Sequence, residues 1–295
     1  MFNFKMNGVV PPMVTPFKEN GELDIESLKT LVGYLTNEVD GLFITGSYGA
    51  GPMMTVEERQ KVVETTINVT QHKIPVIPMV GSTNTIEAIK LAKHAQEVGA
   101  DAVAAVGPYY FTHNEGDVIS FYTDLVESVD IPVYLYNNPG FQGYEISLET
   151  IKELKRRGLA GVKDATFNIL THATYQRVLV DDDFDLALGT EAIFAPASIL
   201  GCKAFIPGLA NAFPEINKQM FNEAMSGDYK AAKETQFKIN KMRDIMYLAR
   251  STQLAMYAML EIRGIIKAYP RKPFVPASDT EIKNIKQALI DFKMI

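Results

Sequence analysis

The sequence predicts an α/β protein with a closed (β/α)8, or TIM, barrel and a helical C-terminal extension. Eight short apolar runs alternate with helical patterns, and about eighty helix-like residues follow the eighth run. The runs are nearly continuous, which is typical of parallel strands that are buried on both faces. An open doubly wound sheet is the alternative. It would need a nucleotide-binding glycine loop after the first strand, and the segment VTPFKENGE is not one.

The elements of the barrel follow from two patterns. In 24–39 the apolar residues recur at helical spacing. Thr55 with Glu58, and Asn84 with Glu87, each predict a capping box at a helix start. The predicted strands are 8–14, 41–46, 74–81, 101–107, 131–137, 160–165, 185–189 and 204–209.

The C-terminal part reads as helix throughout, and it is longer than a single barrel helix. We therefore expect a barrel over residues 1–226 and a helical extension over 227–295 that packs on it. Ser278 and Glu281 predict a third capping box. The helices expected after the eighth strand are 214–226, 228–249, 251–268 and 279–292.

The composition indicates a soluble enzyme of ordinary type. The chain has 295 residues, 47% of them hydrophobic and 22% charged, with a net charge of −6. The charge argues against a nucleic-acid partner. Cys202 is the only cysteine, so no intrachain disulfide is expected, and the N-terminal residues lack a signal-peptide pattern. We interpret 192–213 as a buried helix and strand, not a membrane span, and expect a cytoplasmic protein.

Lys163 is the sharpest candidate for chemistry, because it lies within the apolar strand AGVKDAT. Side chains alternate across a strand, so Lys163 points away from Val162 and Asp164, and Asp164 is poorly placed to pair with it. If Lys163 faces the barrel interior, desolvation lowers its pKa and gives a nucleophilic amine. The alternative is a structural lysine paired with a barrel carboxylate.

Two other strand ends carry candidate groups. Tyr136, on the neighbouring predicted strand, could transfer protons to an adduct on Lys163, or it could be a core tyrosine. The turn GSYGAG (46–51) offers backbone N–H groups and the Ser47 hydroxyl to a carboxylate, although glycine turns are common.

The histidines do not predict a metal site. None of His72, His94, His113 and His172 forms a pair at metal-ligand spacing, and we interpret them as surface or helix residues. We therefore expect no metal, and a metal-dependent aldolase is disfavoured.

Taken together, these segments resemble the dihydrodipicolinate synthase/N-acetylneuraminate lyase family. The resemblance runs in order from PPMVTPF through GSYGAG, TVEER, GPYY, YLYNNPG and GVKDAT to RKPFVP, and it spans essentially the whole chain. It implies a barrel enzyme that forms a Schiff base between a lysine and pyruvate. It also implies no cofactor beyond that covalent bond, a small-molecule 2-keto acid as substrate, and a homotetramer.

The resemblance assigns roles to individual residues. Lys163 matches the Schiff-base lysine, and Tyr136 matches the tyrosine that relays protons. Ser47, with the backbone N–H of Tyr48, matches the site for the pyruvate carboxylate. Tyr110 matches the tyrosine that in the synthases reaches a neighbouring subunit's site.

Further positions match the pocket or depart from it. Gly189 and Ile206 match positions that line the pyruvate pocket. The loop GSYGAG differs from the family's usual G-[ST]-T-G-E. Phe141 stands where the synthases place an arginine for the second substrate, and Ala165 where the sialic acid lyases place a threonine. Glu191 follows the seventh strand, where it could accept hydrogen bonds from substrate hydroxyls or cap the next helix.

The sequence therefore predicts a Schiff-base lyase that cleaves, condenses or dehydrates a 2-keto acid, possible substrates being 2-keto-3-deoxy sugar acids. Phe141 and Glu191 are expected at the side of the second substrate. The enzymatic alternatives are a dihydrodipicolinate synthase, which condenses pyruvate with aspartate semialdehyde, and an N-acetylneuraminate lyase. The non-enzymatic alternative is a barrel that binds a keto acid for regulation.

Overall fold

Eight short parallel strands form the centre of the structure, a computed structural model that describes residues 4–295. Every predicted apolar run contributes one strand, although each strand is shorter than its run. The strands are β1 (Gly8–Val9), β2 (Leu42–Ile44), β3 (Val76–Pro78), β4 (Val103–Val106), β5 (Val133–Asn137), β6 (Gly161–Asp164), β7 (Asp185–Leu188) and β8 (Ala204–Phe205).

The strands close into a ring. Parallel pairing runs in the order β1, β8, β7, β6, β5 and β4, while β2 pairs with β3. Parallel bridges join Met79 to Ala104 and Pro12 to Phe43, which links the two sheets at both gaps. The first strand is short because Pro11 and Pro12 lack the N–H that a longer ladder needs. The predicted closed barrel is confirmed.

Helices surround the barrel and continue beyond it. Helix α11 (Thr252–Ile262) ends earlier than the predicted 251–268, because Gly264 follows with a φ of +69°. The boundary between the barrel (1–226) and the helical extension (227–295) stays a prediction. The helices are α1 (Ile25–Thr36), α2 (Val56–Thr70), α3 (Thr85–Glu97), α4 (Glu115–Glu127), α5 (Pro139–Gln142), α6 (Leu148–Arg156), α7 (Ile169–Val178), α8 (Phe194–Ile199), α9 (Pro214–Met225), α10 (Tyr229–Met246), α11 (Thr252–Ile262) and α12 (Asp279–Asp291), with 3-10 helices at Gly51–Met53 and Gly208–Asn211.

Across residues 4–295, no helix combines the length and the apolar character that a membrane crossing requires.

The predicted helix starts are largely confirmed. The capping box of Thr55 and Glu58 is present at α2, and the box predicted at 278–281 is present at α12. The box predicted for Asn84 and Glu87, at the start of α3, is only half formed. Asn84 accepts the backbone N–H of Glu87, but the Glu87 carboxylate accepts the hydroxyl of Ser82 at 2.9 Å instead of returning to Asn84. The hydroxyl of Ser82 also accepts the N–H of Asn84, so it replaces the missing half of the box.

Alternation along the strands sorts side chains into two apolar layers. On β5, Tyr134 and Tyr136 belong to the cluster inside the barrel, whereas Leu135 belongs to the layer under the helices. On β6, Val162 packs in the outer layer, so Lys163 points into the barrel. The strand period therefore turns Lys163 away from its neighbouring carboxylate, Asp164.

Asp164 has its own partners on the outer side of β6. Its carboxylate accepts the hydroxyl of Thr166 at 2.7 Å and lies 3.1 Å from Nδ1 of His172, and both members of the latter pair are fully buried. His172 lies in α7, in agreement with the prediction of a surface or helix residue, and it is buried there. Burial lowers the pKa of His172, yet the hydrogen bond with Asp164, together with the proximity of Cys202, prevails and raises it to about 9.

This pair predicts a pH-dependent stability. The pKa of His172 in the folded chain, about 9, lies above the ordinary value of 6.5, so the protonated pair stabilises the fold fully below pH 6.5. The stabilisation is lost as the pH rises through about 9. Relative to His172→Gln, the free energy of unfolding of the wild type should fall by about 3 kcal/mol over this range, measured by urea denaturation.

The control for this measurement is His72→Gln, on the exposed turn after α2. Its side chain is exposed and lies outside the buried pair, so its difference from the wild type gives the baseline. A difference for His172→Gln that follows this baseline would mean that His172 is neutral in the fold.

Candidate active site

A cavity of about 560 Å³ opens at the carboxyl ends of the strands, and it collects most of the residues that the sequence singled out. Eight of the nine candidate residues line it, while Tyr110 does not. The eight are Ser47, Tyr48, Tyr136, Phe141, Lys163, Gly189, Glu191 and Ile206.

Lys163 lies at the inner end of the cavity and is 3% exposed. Its Nζ lies 3.7 Å from the ring centroid of Phe43 and 3.6 Å from that of Tyr136. Within residues 4–295, no hydrogen bond is formed by this Nζ and no carboxylate lies within 4.0 Å of it, so the structural alternative of a lysine paired with a barrel carboxylate is wrong.

Burial determines the charge of this amine. It lowers the pKa of Lys163 well below the ordinary value. The two ring faces favour the ammonium form by about 1–2 kcal/mol each. That gain is smaller than the several kcal/mol that an unpaired ammonium loses on leaving water. Burial therefore favours the neutral form of the amine, which is the nucleophilic one.

Tyr136 lies directly beside Lys163, because the two residues are paired in register between β5 and β6. Its hydroxyl oxygen is 3.4 Å from Oγ of Ser47 and accepts a hydrogen bond from Nδ2 of Asn138 at 3.1 Å. Burial raises the pKa of Tyr136, and the bonds with Ser47 and Asn138 oppose that rise. An amine, a phenol and a serine hydroxyl thus share one end of the cavity.

The turn that carries Ser47 is held by close packing. A Cβ on Gly51 would lie 1.8 Å from the carbonyl oxygen of Thr45, so this position requires glycine. From α11, the Gln253 side-chain amide donates to the Ser47 carbonyl, and the hydroxyl of Tyr48 donates to that of Thr252 at 2.8 Å. The C-terminal helices therefore fix the wall of the cavity.

The opposite wall needs small or apolar residues. A Cβ on Gly189 would lie 2.7 Å from the carbonyl oxygen of Asp164, on the strand that carries Lys163. Ile206 is 2% exposed, and its N–H donates to the carbonyl of Leu188 at 2.8 Å. These residues keep β6, β7 and β8 close together around the inner end of the cavity.

Sequence reasoning missed Arg243, which reaches the cavity from the last turn of α10. Its Nη1 donates to Oε1 of Glu191 at 2.8 Å, and its Nη2 lies 3.4 Å from the hydroxyl of Tyr247. Glu191 is 1% exposed and also accepts the N–H of Gly208 at 3.2 Å. The proposal that Glu191 caps the next helix is wrong, because α8 begins after Ile193 without a side-chain cap.

Aromatic rings stand at the mouth of the cavity. Phe141, on α5, is 62% exposed, and Phe167, after β6, is 58% exposed. Phe167 has a φ of +57°, which is uncommon for a residue of this size and turns its ring towards the opening. Tyr110 lies elsewhere, on the loop after β4, where it is 86% exposed and packs edge to face on Phe111.

The described histidines have other partners or lie at the surface. His94 bonds to Glu64 at 3.2 Å, and His113 lies 3.6 Å from Asp117. Between residues 4 and 295, no group of three or more His, Cys, Asp or Glu side chains is placed to hold a metal ion.

Comparison with known proteins gives the family. A model of the dihydrodipicolinate synthetase family matches residues 5–291. The chain is 33% identical over 286 residues to a 4-hydroxy-tetrahydrodipicolinate synthase of Methanospirillum hungatei, covering 96% of this chain and 98% of the relative. It is 35% identical over 276 residues to the synthase of Roseobacter denitrificans, covering 92% and 93%.

Solved structures agree with this result. The dihydrodipicolinate synthase of Bacteroides thetaiotaomicron superposes with a TM-score of 0.92 at 28% identity, covering 98% of this chain and all of the other. The KD(P)GA of T. tenax superposes with a TM-score of 0.89, also at 28% identity, covering 98% and 99%. By its sequence, its barrel and the agreement of both with these relatives, the chain belongs to the dihydrodipicolinate synthetase family.

Proposed function

We propose that this chain is a lyase that acts through a Schiff base between Lys163 and a 2-keto acid such as pyruvate, without a metal. The observation that carries the proposal is the amine of Lys163, which is buried at the inner end of the cavity without a carboxylate partner. A protein that only binds a keto acid would not need a desolvated nucleophile. This argues against the alternative of a regulatory, non-catalytic barrel.

The keto acid would be held at the inner end of the cavity. The Ser47 hydroxyl and the backbone N–H of Tyr48 would bind its carboxylate, while Gly189 and Ile206 would leave room for its small carbon skeleton. Lys163 would attack C2, and the iminium would then accept the electrons of the C3–C4 bond during cleavage. Tyr136 would transfer the protons, since its hydroxyl lies 3.4 Å from Oγ of Ser47 and its ring packs against the amine.

The outer half of the cavity suggests the second substrate. Phe141 supplies no charge, and the one cation there, Arg243, is already neutralised by the buried Glu191. A carboxylate that approached Arg243 would also meet the Glu191 carboxylate, whereas hydroxyl groups can both donate to Glu191 and accept from Arg243. The geometry therefore favours a hydroxyaldehyde as partner, and a 2-keto-3-deoxy sugar acid as the joined molecule.

A dihydrodipicolinate synthase remains the second candidate. All of the relatives named above from sequence comparison carry that activity in their names, and Arg243 offers a guanidinium that could bind the carboxylate of aspartate semialdehyde. An N-acetylneuraminate lyase is less well supported, because Ala165 lines the cavity without a hydroxyl.

We also propose that the enzyme is a cytoplasmic homotetramer. Tyr110 and Phe111 expose 86% and 67% of their surface beside each other on one loop. An apolar patch of this kind is typical of a protein interface. In such an assembly Tyr110 would reach the site of a neighbouring copy, which accounts for its position outside the cavity of its own chain.

The proposal predicts covalent trapping of pyruvate at Lys163. Borohydride should add the mass of a reduced pyruvate adduct, and peptide mapping should place it on Lys163 with or without chelator. Lys163→Ala should abolish the adduct because it removes the amine. Lys163→Arg should also abolish it, because a guanidinium stays protonated and cannot attack.

Lys155→Ala is the matched control for trapping. Lys155 is partly buried and pairs with Asp181 away from the cavity, so its loss should leave the adduct unchanged. An adduct on a different lysine, or no adduct at saturating pyruvate, would contradict the proposal.

The outer half of the cavity predicts the preferred acceptor. In condensation with pyruvate, glyceraldehyde should be used with a higher kcat/KM than aspartate semialdehyde, because a buried carboxylate beside Glu191 and Phe141 costs several kcal/mol. Product formation can be followed by mass spectrometry for both aldehydes. A preference for aspartate semialdehyde would restore the synthase assignment. Arg243→Lys, which keeps the charge but loses the planar fork, would then show whether Arg243 holds its carboxylate.

A further inference from the structure

The hydroxyl of Tyr136 has a second side-chain partner that the family resemblance did not single out. Asn138 follows β5 and lies two residues after Tyr136, so both side chains project to the same side. Its Nδ2 donates to the Tyr136 oxygen at 3.1 Å, closer than the 3.4 Å contact with Ser47. Asn138 is 6% exposed and lines the cavity.

The main chain of Asn138 is held on both sides. Its N–H donates to Oε1 of Gln142 at 3.3 Å. Its carbonyl accepts the N–H groups of Phe141 and Gln142, each at 3.0 Å, as α5 begins. The side-chain amide is therefore presented from a fixed backbone, and its bond to Tyr136 does not depend on a mobile loop end.

The chemistry of the two groups gives the bond a direction. The NH₂ group of an amide only donates, whereas a phenol has one proton and can accept. With Asn138 donating, the Tyr136 proton is free to point to Ser47 or into the cavity. A hydrogen bond to an anion is stronger than one to the neutral form, so the same amide favours the phenolate that proton transfer creates. Burial of Tyr136 acts in the opposite sense.

We propose that Asn138 is a positioning residue for proton transfer: its side-chain amide holds the Tyr136 oxygen, directs the Tyr136 proton to the substrate on Lys163 and stabilises the phenolate that remains. The proposal rests on the proposed function, because it requires that Tyr136 serve a Schiff base.

The step can be written in full for pyruvate. The amine of Lys163 adds to C2 and passes one of its protons to the former carbonyl oxygen. Tyr136 gives its proton to the same oxygen, which leaves as water, so that an iminium and a phenolate remain. The phenolate then takes a proton from C3, which gives the enamine and restores the phenol. In D₂O the phenol becomes deuterated, and the reverse step places deuterium on C3 of pyruvate. This exchange requires no second substrate.

Deuterium exchange into the methyl group of pyruvate, followed by NMR against pH, tests the proposal. Asn138→Leu should slow exchange about 10- to 100-fold, the value of one hydrogen bond to a charged group, and move the alkaline limb of the profile to higher pH. Asn138→Asp, which can accept but not donate when ionised, should slow it further. Tyr136→Phe should lose roughly 10²–10⁴-fold while still being trapped by borohydride.

The controls distinguish a failure of the proposed function from a failure of the role of Asn138. Asn37→Leu makes the same chemical change at the exposed end of α1 and should leave exchange unaltered. Wild-type protein that shows neither trapping nor exchange contradicts the proposed function itself. If the wild type exchanges, the role of Asn138 is overturned by a wild-type rate in either Asn138→Leu or Asn138→Asp. It is also overturned if each variant loses exchange only in proportion to the fraction of its protein that borohydride traps, and the alkaline limb of its pH profile does not move.

Discussion

The site depends on one constraint, which is that Lys163 is removed from water without a negative partner. An ammonium in that position would lose its hydration and gain only the faces of Phe43 and Tyr136. The neutral amine is therefore favoured, and neutrality is what a Schiff-base nucleophile requires. The barrel supplies this environment, because alternate residues of its strands point to a buried, largely apolar interior.

The nearby carboxylates preserve this constraint because each has another cation. Asp164, the next residue in β6, points outward and pairs with His172. Glu191, at the end of the next strand, pairs with Arg243 from α10. Neither is therefore free to stabilise an ammonium on Lys163. The C-terminal helices have a chemical part in the site as well as a structural one, since α10 provides Arg243 and α11 holds the turn of Ser47.

The fold and the inner half of the site could be predicted because their signals are local. Buried parallel strands give continuous apolar runs, and a lysine within such a run is conspicuous. Arg243 could not be found in this way, because in the segment KINKMRD it looks like one more charged residue on a helix surface. The pairing of His172 with Asp164 was missed since it depends on how α7 packs against β6. The bond from Asn138 to Tyr136 depends on the backbone turn into α5, which spacing alone does not specify.

The protonation state of Lys163 can be measured directly. In protein labelled with ¹³C at the lysine side chains, the Cε resonance that is absent from Lys163→Met should be followed by NMR against pH. Burial of Lys163 predicts that this resonance titrates clearly below those of the exposed lysines. A resonance that titrates together with the exposed lysines would show that Lys163 is an ordinary ammonium, and the account of its reactivity would then be wrong.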